Sequence, residues 1–275
     1  MSGTLYVVAT PIGNLDDLSP RARQTLAEAD LVAAEDTRHS GRLLSHIGAK
    51  PRLIALHEHN EAELVGRLIV ELENGKSVAL ISDAGTPLVS DPGYRLVAAA
   101  HEHGIKVSPI PGASALTAAL SAAGLPTDRF CFEGFLPAKQ KARRDALAAL
   151  GREERTIVFY ESVHRIADSL ADMAMTFGED RGAFVGRELT KLHEQCLHGT
   201  LGELVRAIND GSLVGKGEFV VAVAGSTVEQ ESSLDTDRLL LALVDRLSAK
   251  DAAAIAAKAT GGKKNALYKR VLELK

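Results

Sequence analysis

Short apolar runs alternate with amphipathic stretches along the first 110 positions. Leu5-Tyr6-Val7-Val8-Ala9, Leu31 to Ala34, Leu53 to Leu56, Val78 to Ile81 and Ile105 to Ile110 read as buried strands. Ser19-Pro20 opens a helix, with Ser as N-cap and Pro at the first position. Glu61 to Glu73 has helical periodicity, and Asp91-Pro92 reads as the cap of another helix. Strands separated by helices predict a largely parallel α/β sheet. The alternation restarts after Pro126. Strands are expected at Phe130 to Phe135, Thr156 to Tyr160, Ala183 to Leu189 and Phe219 to Val223. Helices are expected at Lys139 to Leu150, Val163 to Phe177 and Leu201 to Ile208. A polar stretch, Ser226 to Asp237, separates this half from a tail that is helical throughout: Leu239 to Leu247, Asp251 to Ala259 and Asn265 to Leu274. The reading is two α/β domains, 1–120 and 121–228, and a small helix-turn-helix-like domain, 234–275.

Composition refines this picture. With Trp absent and aromatics at 4%, the core has to be built from Leu, Val, Ile and Ala. The longest uncharged run, Val107 to Thr127, is broken by Pro109, Pro111, Gly112, Gly124 and Pro126, so it is read as strand, turn and small-residue helix, with no membrane span. The N-terminus carries no basic region ahead of its first strand, which argues against a signal peptide. Cys131 and Cys196 are expected to be reduced, buried thiols of a cytoplasmic protein. Net charge is −4, but Ser248 to Lys275 holds seven Lys/Arg and two Asp/Glu, a formal +5, which leaves −9 on the rest. A mildly acidic body with a basic tail suits local contact with nucleic acid.

Several common motifs fail. Gly75-Lys76-Ser77 lacks the first Gly of a phosphate-binding loop and precedes a strand. No G-x-G-x-x-G follows the first strand. Gly112-Ala113-Ser114-Ala115-Leu116 lacks the second Gly of a nucleophile elbow. His57/His59, His101/His103 and His193/His198 do not have the helical zinc spacing, and no metal is expected. What remains is a set of loops at the carboxyl ends of predicted strands, where open α/β sheets bind ligands. They are Ala9 to Asn14, Ser82 to Pro87, Pro111 to Ala115 and Phe159 to Ser162, all but the last mixing Gly, Pro and small polar residues. Such loops let backbone groups approach a ligand closely.

Five segments carry a family resemblance: ATPIGNLDDLSPRA (Ala9 to Ala22), ADLVAAEDTRHSGRLL (Ala29 to Leu44), LISDAGTPLVSDPGY (Leu80 to Tyr94), PIPGASALTAALSAAGLPTDRFCFEGFLP (Pro109 to Pro137) and VFYESVHRI (Val158 to Ile166). GRELTKLHE (Gly186 to Glu194) and GKGEFVV (Gly215 to Val221) continue it. With these, the chain resembles the ribosomal RNA small-subunit methyltransferase I group of the tetrapyrrole methylase superfamily. The match runs to about Gly225, and the tail resembles that group's helical appendage. The resemblance implies a class III methyltransferase fold, S-adenosylmethionine in the inter-domain cleft, a homodimer, and 2′-O-methylation of a decoding-centre cytidine of 16S ribosomal RNA in the small subunit. Carried over by position, Pro11, Ile12, Asp83, Gly85, Thr86, Ser114, Ala115, Phe159 and Tyr160 are expected cofactor contacts. Porphyrin-precursor methylases carry a Gly-rich G-x-G-x-G-D at the first loop, whereas this chain has Ala9-Thr10-Pro11-Ile12-Gly13-Asn14. That points away from a tetrapyrrole substrate. A tetrapyrrole-precursor methylase and a non-catalytic ribosome-assembly protein remain alternatives.

A ribose hydroxyl is a poor nucleophile and benefits from a proton acceptor within hydrogen-bond reach. Glu161 is the first choice, with Asp36, Asp83, Glu188 and His164 as alternatives. Arg38, His39, Lys139, Arg143, Arg144, Arg165, Arg187 and Lys191 are the expected RNA contacts, and Lys139 to Arg144 set four cations against a helix dipole.

Overall fold

The computed structural model describes residues 2–57, 60–227 and 236–274. The chain divides into two compact units, residues 1–225 and 226–275. Unit one holds two five-stranded sheets.

The first sheet is built from β1 (Thr4–Val8), β2 (Leu31–Ala34), β3 (Arg52–Ala55), β4 (Val78–Ile81) and β5 (Lys106–Ile110). Their order is β3-β2-β4-β1-β5, with every pairing parallel. β2 and β4 are buried along their whole length, which explains their uninterrupted apolar sequences. The crossover helices are α1 (Pro20–Glu28), α2 (Thr37–His46), α3 (Glu61–Glu73) and α4 (Tyr94–Glu102). Helix α1 starts as expected: the Ser19 hydroxyl accepts from the Ala22 amide at 3.1 Å, with Pro20 next. Helix α2, TRHSGRLLSH, has too few apolar positions for its period to show in sequence. It is held by its cap, since Asp36 accepts from the amides of Arg38 and His39. Helix α4 begins three residues beyond Asp91 and is capped from another helix: Glu61 Oε1 accepts from the amides of Gly93 at 3.2 Å and Arg95 at 3.0 Å.

The second sheet comprises β6 (Phe130–Phe135), β7 (Thr156–Ser162), β8 (Gly182–Arg187), β9 (Gln195–Thr200) and β10 (Glu218–Val223), in the order β6-β7-β10-β8-β9. Only β6 and β7 run parallel; the other pairs are antiparallel. Strand β9, QCLHGT, is a sheet edge with alternating partial exposure, and this hides it from a search for apolar runs. Its neighbour β8 stops at Arg187, two residues short of the expected end. Helices α6 (Gln140–Ala149), α7 (Ile166–Phe177) and α8 (Leu201–Asp210) cover this sheet. Helix α5 (Ala115–Ala122) joins the two halves: Ala119, Leu120 and Ala123 pack with Ile12 from the first sheet's loop and with Val158, Phe184, Val220 and Ala222 of the second sheet. That shared apolar cluster fixes the spacing of the cleft between the sheets.

Unit two is a three-helix bundle, α9 (Thr236–Val244), α10 (Ala249–Thr260) and α11 (Lys264–Glu273). Leu240, Ala256 and Val271 form its core, and Asp237 pairs with Arg270 across it. Ser248 caps α10 at its start, and Gly261 ends it in the left-handed conformation at φ 72°. The thiols differ from expectation: Cys131 is half-buried and Cys196 exposed, because they lie on β6 and on the edge strand β9. No helix among the described residues is long and apolar enough to cross a membrane.

Candidate active site

The carboxyl ends of β1 and β4 are stitched together by their loops. Thr10 and Gly85 exchange backbone hydrogen bonds of 2.8 and 3.1 Å. Gly85 sits at φ 80°, and a Cβ there would lie 3.2 Å from Ile12, so a side chain would be both strained and crowded. Thr86 Oγ1 donates to the Ala113 carbonyl at 3.1 Å, tying this pair to the loop that starts α5.

These loops form one wall of a cavity of about 440 Å³ between the two sheets. Ile12, Asp83, Ala84, Gly85 and Thr86 line it, followed by Val89, Ser90 and Asp91 from the same β4 loop, then Ser114 and Ala115. The second sheet contributes Phe135, Tyr160 to Val163, Gly186, Leu189, Lys191 and Gly217 to Val220. The cavity therefore brings together Ile12, Asp83, Gly85, Thr86, Ser114, Ala115 and Tyr160 of the expected cofactor contacts. It does not reach the other two. Phe159 points into the opposite core, fully buried against the α6–α8 layer, because its strand neighbour Tyr160 takes the cavity face. Pro11 lines a second, smaller cavity.

The residue the sequence reading missed is Asp91, taken there for a helix cap. It faces the same cavity as Asp83. Burial pushes its carboxyl above the usual range, the hydroxyl of Ser82 opposes that, and the charge of Asp83 adds to it. Tyr160 is raised by burial, against opposing hydrogen bonds from the Leu116 amide and the Ser114 hydroxyl. Its ring meets Phe132 and Phe135 edge-on at 4.8 and 5.6 Å. Phe135 is 53% exposed at the rim.

The donor set fits S-adenosylmethionine. Ser114 makes no side-chain cap at the start of α5, so the first-turn amides other than that of Leu116, which meets Tyr160, suit a carboxylate. Asp83 and Asp91 suit an ammonium group and ribose hydroxyls. Ile12, Val89, Leu189 and Val220 supply an apolar wall for the purine and the alkyl groups on sulfur.

Several expected residues are engaged elsewhere. The Glu161 carboxylate is 0% exposed and accepts from the Ser169 hydroxyl at 2.6 Å, from the Ser162 amide at 2.7 Å and from Arg165 at 2.9 Å. Its lone pairs hold the β7–α7 turn, which leaves the expected proton acceptor little capacity for a hydroxyl, although the residue also lines the cavity. Asp36 caps α2, and bonds from the Arg38 and His39 amides hold its carboxyl below the usual range despite a small opposing desolvation. Its own amide donates to Asp83 Oδ1 at 3.0 Å. Burial would raise the Glu188 carboxyl, but the Lys191 ammonium and the Glu218 amide bring it below the usual range. His164 is exposed and lies off the cavity.

Among the expected RNA contacts, Arg143 is buried, its side chain 3% exposed, and donates to Asp172 at 2.7 Å. Arg144 shares that carboxylate. Arg165 is held by Glu161, Ser162 and the Leu136 carbonyl, and Arg187 is buried on the carbonyls of Lys216 and His193. Lys191 bridges Glu188 and Glu218, and its stem packs against Gly13 of the opposite sheet, where a Cβ would come within 2.3 Å. These five are fixed by tertiary partners. Arg38, His39 and Lys139 remain exposed, as does the Arg144 side chain beside its partner Asp172.

Comparison with known proteins agrees with this architecture. The family profile described as tetrapyrrole (corrin/porphyrin) methylases matches residues 4–205, and that described as the RsmI C-terminal HTH domain matches residues 230–275. The chain is 54% identical over 275 residues to ribosomal RNA small subunit methyltransferase I of Pseudomonas aeruginosa, covering 99% of this chain and 98% of that one. It is 52% identical over 272 residues to the protein of that name from Escherichia coli O157:H7, covering 98% and 95%. Among solved structures, the methyltransferase CobJ superposes with a TM-score of 0.59 at 21% identity, over 82% of this chain and 95% of that one, which speaks for the fold. The chain belongs to the ribosomal RNA small subunit methyltransferase I family, within the tetrapyrrole methylases. It is an S-adenosylmethionine-dependent methyltransferase.

Proposed function

We infer that the protein methylates the 2′-oxygen of a cytidine in the decoding centre of 16S ribosomal RNA, acting on the small subunit. The observation that carries this reading is the inter-sheet cavity, whose lining matches the needs of the cofactor, in a chain whose full-length relatives are named ribosomal RNA small subunit methyltransferase I. When bound, the cofactor supplies an electrophilic methyl group on a positively charged sulfur. The protein aligns that group with the acceptor and excludes water from the cleft. The α5 amides and Asp91 hold the cofactor's polar ends, which leaves Asp83 to the acceptor. The acceptor hydroxyl then has to lose its proton to a carboxylate at the cleft or to water. With Glu161 and Glu188 held by internal partners, Asp83 is the carboxylate best placed to receive it. The protein works in the cytoplasm, where small subunits are, and as a homodimer.

Transfer of labelled methyl from the cofactor to small subunits lacking the modification tests this reading. A 2′-O-methyl blocks the hydroxyl that alkaline hydrolysis requires. The labelled linkage is therefore expected to resist base, and an alkali-labile product would overturn the ribose assignment.

A further inference from the structure

A second cavity, of about 240 Å³, lies against the first. The β1 loop is the partition between them. Thr10, Pro11 and Gly13 face the smaller cavity, whereas Ile12 faces the larger one. Asp83 lines both. The far wall of the smaller cavity is α2, through His39, Ser40, Arg42 and Leu43. Helix α2 is rigidly placed there, because its capping residue Asp36 donates its amide to Asp83.

Two features of α2 are not accounted for by packing. Ser40 is 2% exposed and its hydroxyl has no hydrogen-bond partner among the described residues, although it lines this cavity. A buried, unpaired hydroxyl is destabilising unless a ligand satisfies it. Arg42 is exposed at the same cavity and has no carboxylate partner among the described residues. This contrasts with Arg143, Arg165 and Arg187, all of which are tied to internal acceptors.

We propose that this smaller cavity is the acceptor-nucleotide site, taking one flipped-out ribonucleotide with its ribose toward Asp83 and its phosphate toward Arg42. A guanidinium matches a phosphodiester, and a hydroxyl and a carboxylate match the donors and acceptors of a ribose. Pro11, Leu15 and Leu43 give the nucleotide an apolar surface. Asp83, lining both chambers, then stands where acceptor oxygen and methyl donor have to meet. Single-stranded nucleotides are recognised in this manner, splayed out of their stack. The proposal rests on the reading of this chain as an RNA methyltransferase and adds the place where the substrate enters.

The test uses the full-length variants Ser40→Ala and Arg42→Ala, with small subunits lacking the modification as substrate. Removing an unpaired hydroxyl from a helix leaves the melting temperature unchanged or raises it, since alanine is the better helix former. Ser40→Ala is therefore expected to fold normally and bind cofactor normally, yet lose about three- to tenfold in kcat/KM for subunits. Arg42→Ala is expected to raise KM for subunits about tenfold and to reduce the salt slope of binding by about one. Wild-type kcat and KM in both variants would overturn the cavity assignment while wild-type methyl transfer left the proposed function standing. A drop in melting temperature and cofactor affinity in step with activity would mark Ser40 as structural and also overturn it. No transfer by the wild-type protein would remove both the proposed function and this site.

Discussion

Replacing Glu161 by glutamine separates a structural carboxylate from a catalytic one. The side chain is 0% exposed and makes three short contacts, with Ser169 at 2.6 Å, Ser162 at 2.7 Å and Arg165 at 2.9 Å. Breaking a buried ion pair by removing one partner costs roughly 3–5 kcal/mol. Arg165 is 23% exposed and keeps its bonds to Ser162 and the Leu136 carbonyl, so its loss is partly offset by water and by those acceptors. Glutamine retains one oxygen but turns an NH2 group toward a donor. The expected loss is about 2–3 kcal/mol. For a unit of 225 residues that corresponds to a fall of roughly 5–10 °C in melting temperature. Thermal unfolding gives this directly, and methyl transfer measured well below the transition gives the catalytic side. The variant is expected to keep kcat within about threefold of the parent, because Ser169, Ser162 and Arg165 already engage the carboxylate. An unchanged melting temperature together with a fall in kcat of about two orders of magnitude or more would refute this reasoning and restore Glu161 as the proton acceptor.

Two further outcomes follow from the same geometry. Asp91 has a folded-state carboxyl raised above its unfolded value, so its favourable contribution is fully present below about pH 4 and is lost as pH rises through the folded value. Asp91→Asn is therefore expected to stabilise the cofactor-free protein more at pH 7.5 than at pH 4.5 while weakening cofactor binding; an equal effect at both pH values in denaturant titrations would sink the first half, and unchanged cofactor affinity the second. Removing residues 226–275 takes away the whole helical unit and is expected to preserve cofactor binding while lowering affinity for small subunits most strongly at low salt; full efficiency at every salt concentration would exclude an RNA role for the tail. A cut at Ser248 is the poorer experiment, because it strips Ala256 and Val271 from Leu240 and leaves α9 with an exposed apolar face.

The sequence was most legible where one physical signal acts alone. Uninterrupted apolar runs are what strands covered on both faces require, and β2 and β4 lie where those runs are. The loops that line the inter-sheet cavity were legible because backbone turns at strand ends need Gly, Pro and small polar residues. Edge strand β9 and helix α2 were not, since one is half-exposed and the other packs into the core only through Leu43 and Leu44, too few apolar positions to show a period. Side-chain roles were the hardest part. Lys139 to Arg144 reads as a basic patch, but Asp172, 29 residues beyond Arg143, buries that cation and also pairs with the exposed Arg144. Nothing local announces that carboxylate: it arrives by the packing of α7 on α6.

Asp91 shows how a local rule can hide a ligand-binding group. Asp before Pro ahead of an apolar stretch is a sound helix-start signal, and a helix does start nearby. Two things displace Asp91 from that task. Leu88 and Ser90 both take positive φ, 72° and 67°, which for non-glycine residues costs on the order of 1–3 kcal/mol each. That strained path swings the chain so that Val89, Ser90 and Asp91 line the inter-sheet cavity. The amides at the start of α4, left without a local cap, are then satisfied by Glu61, a buried carboxylate arriving from α3 some thirty residues earlier. Strain of this size persists only where the surroundings impose it, and such sites cluster around ligands. A remote carboxylate that takes over the capping of α4 leaves the nearer one free to face the cavity, beside Asp83 and against the desolvation that raises its own carboxyl. The two acidic residues are therefore not interchangeable: Glu61 caps a helix of the fold, and Asp91 faces the cavity.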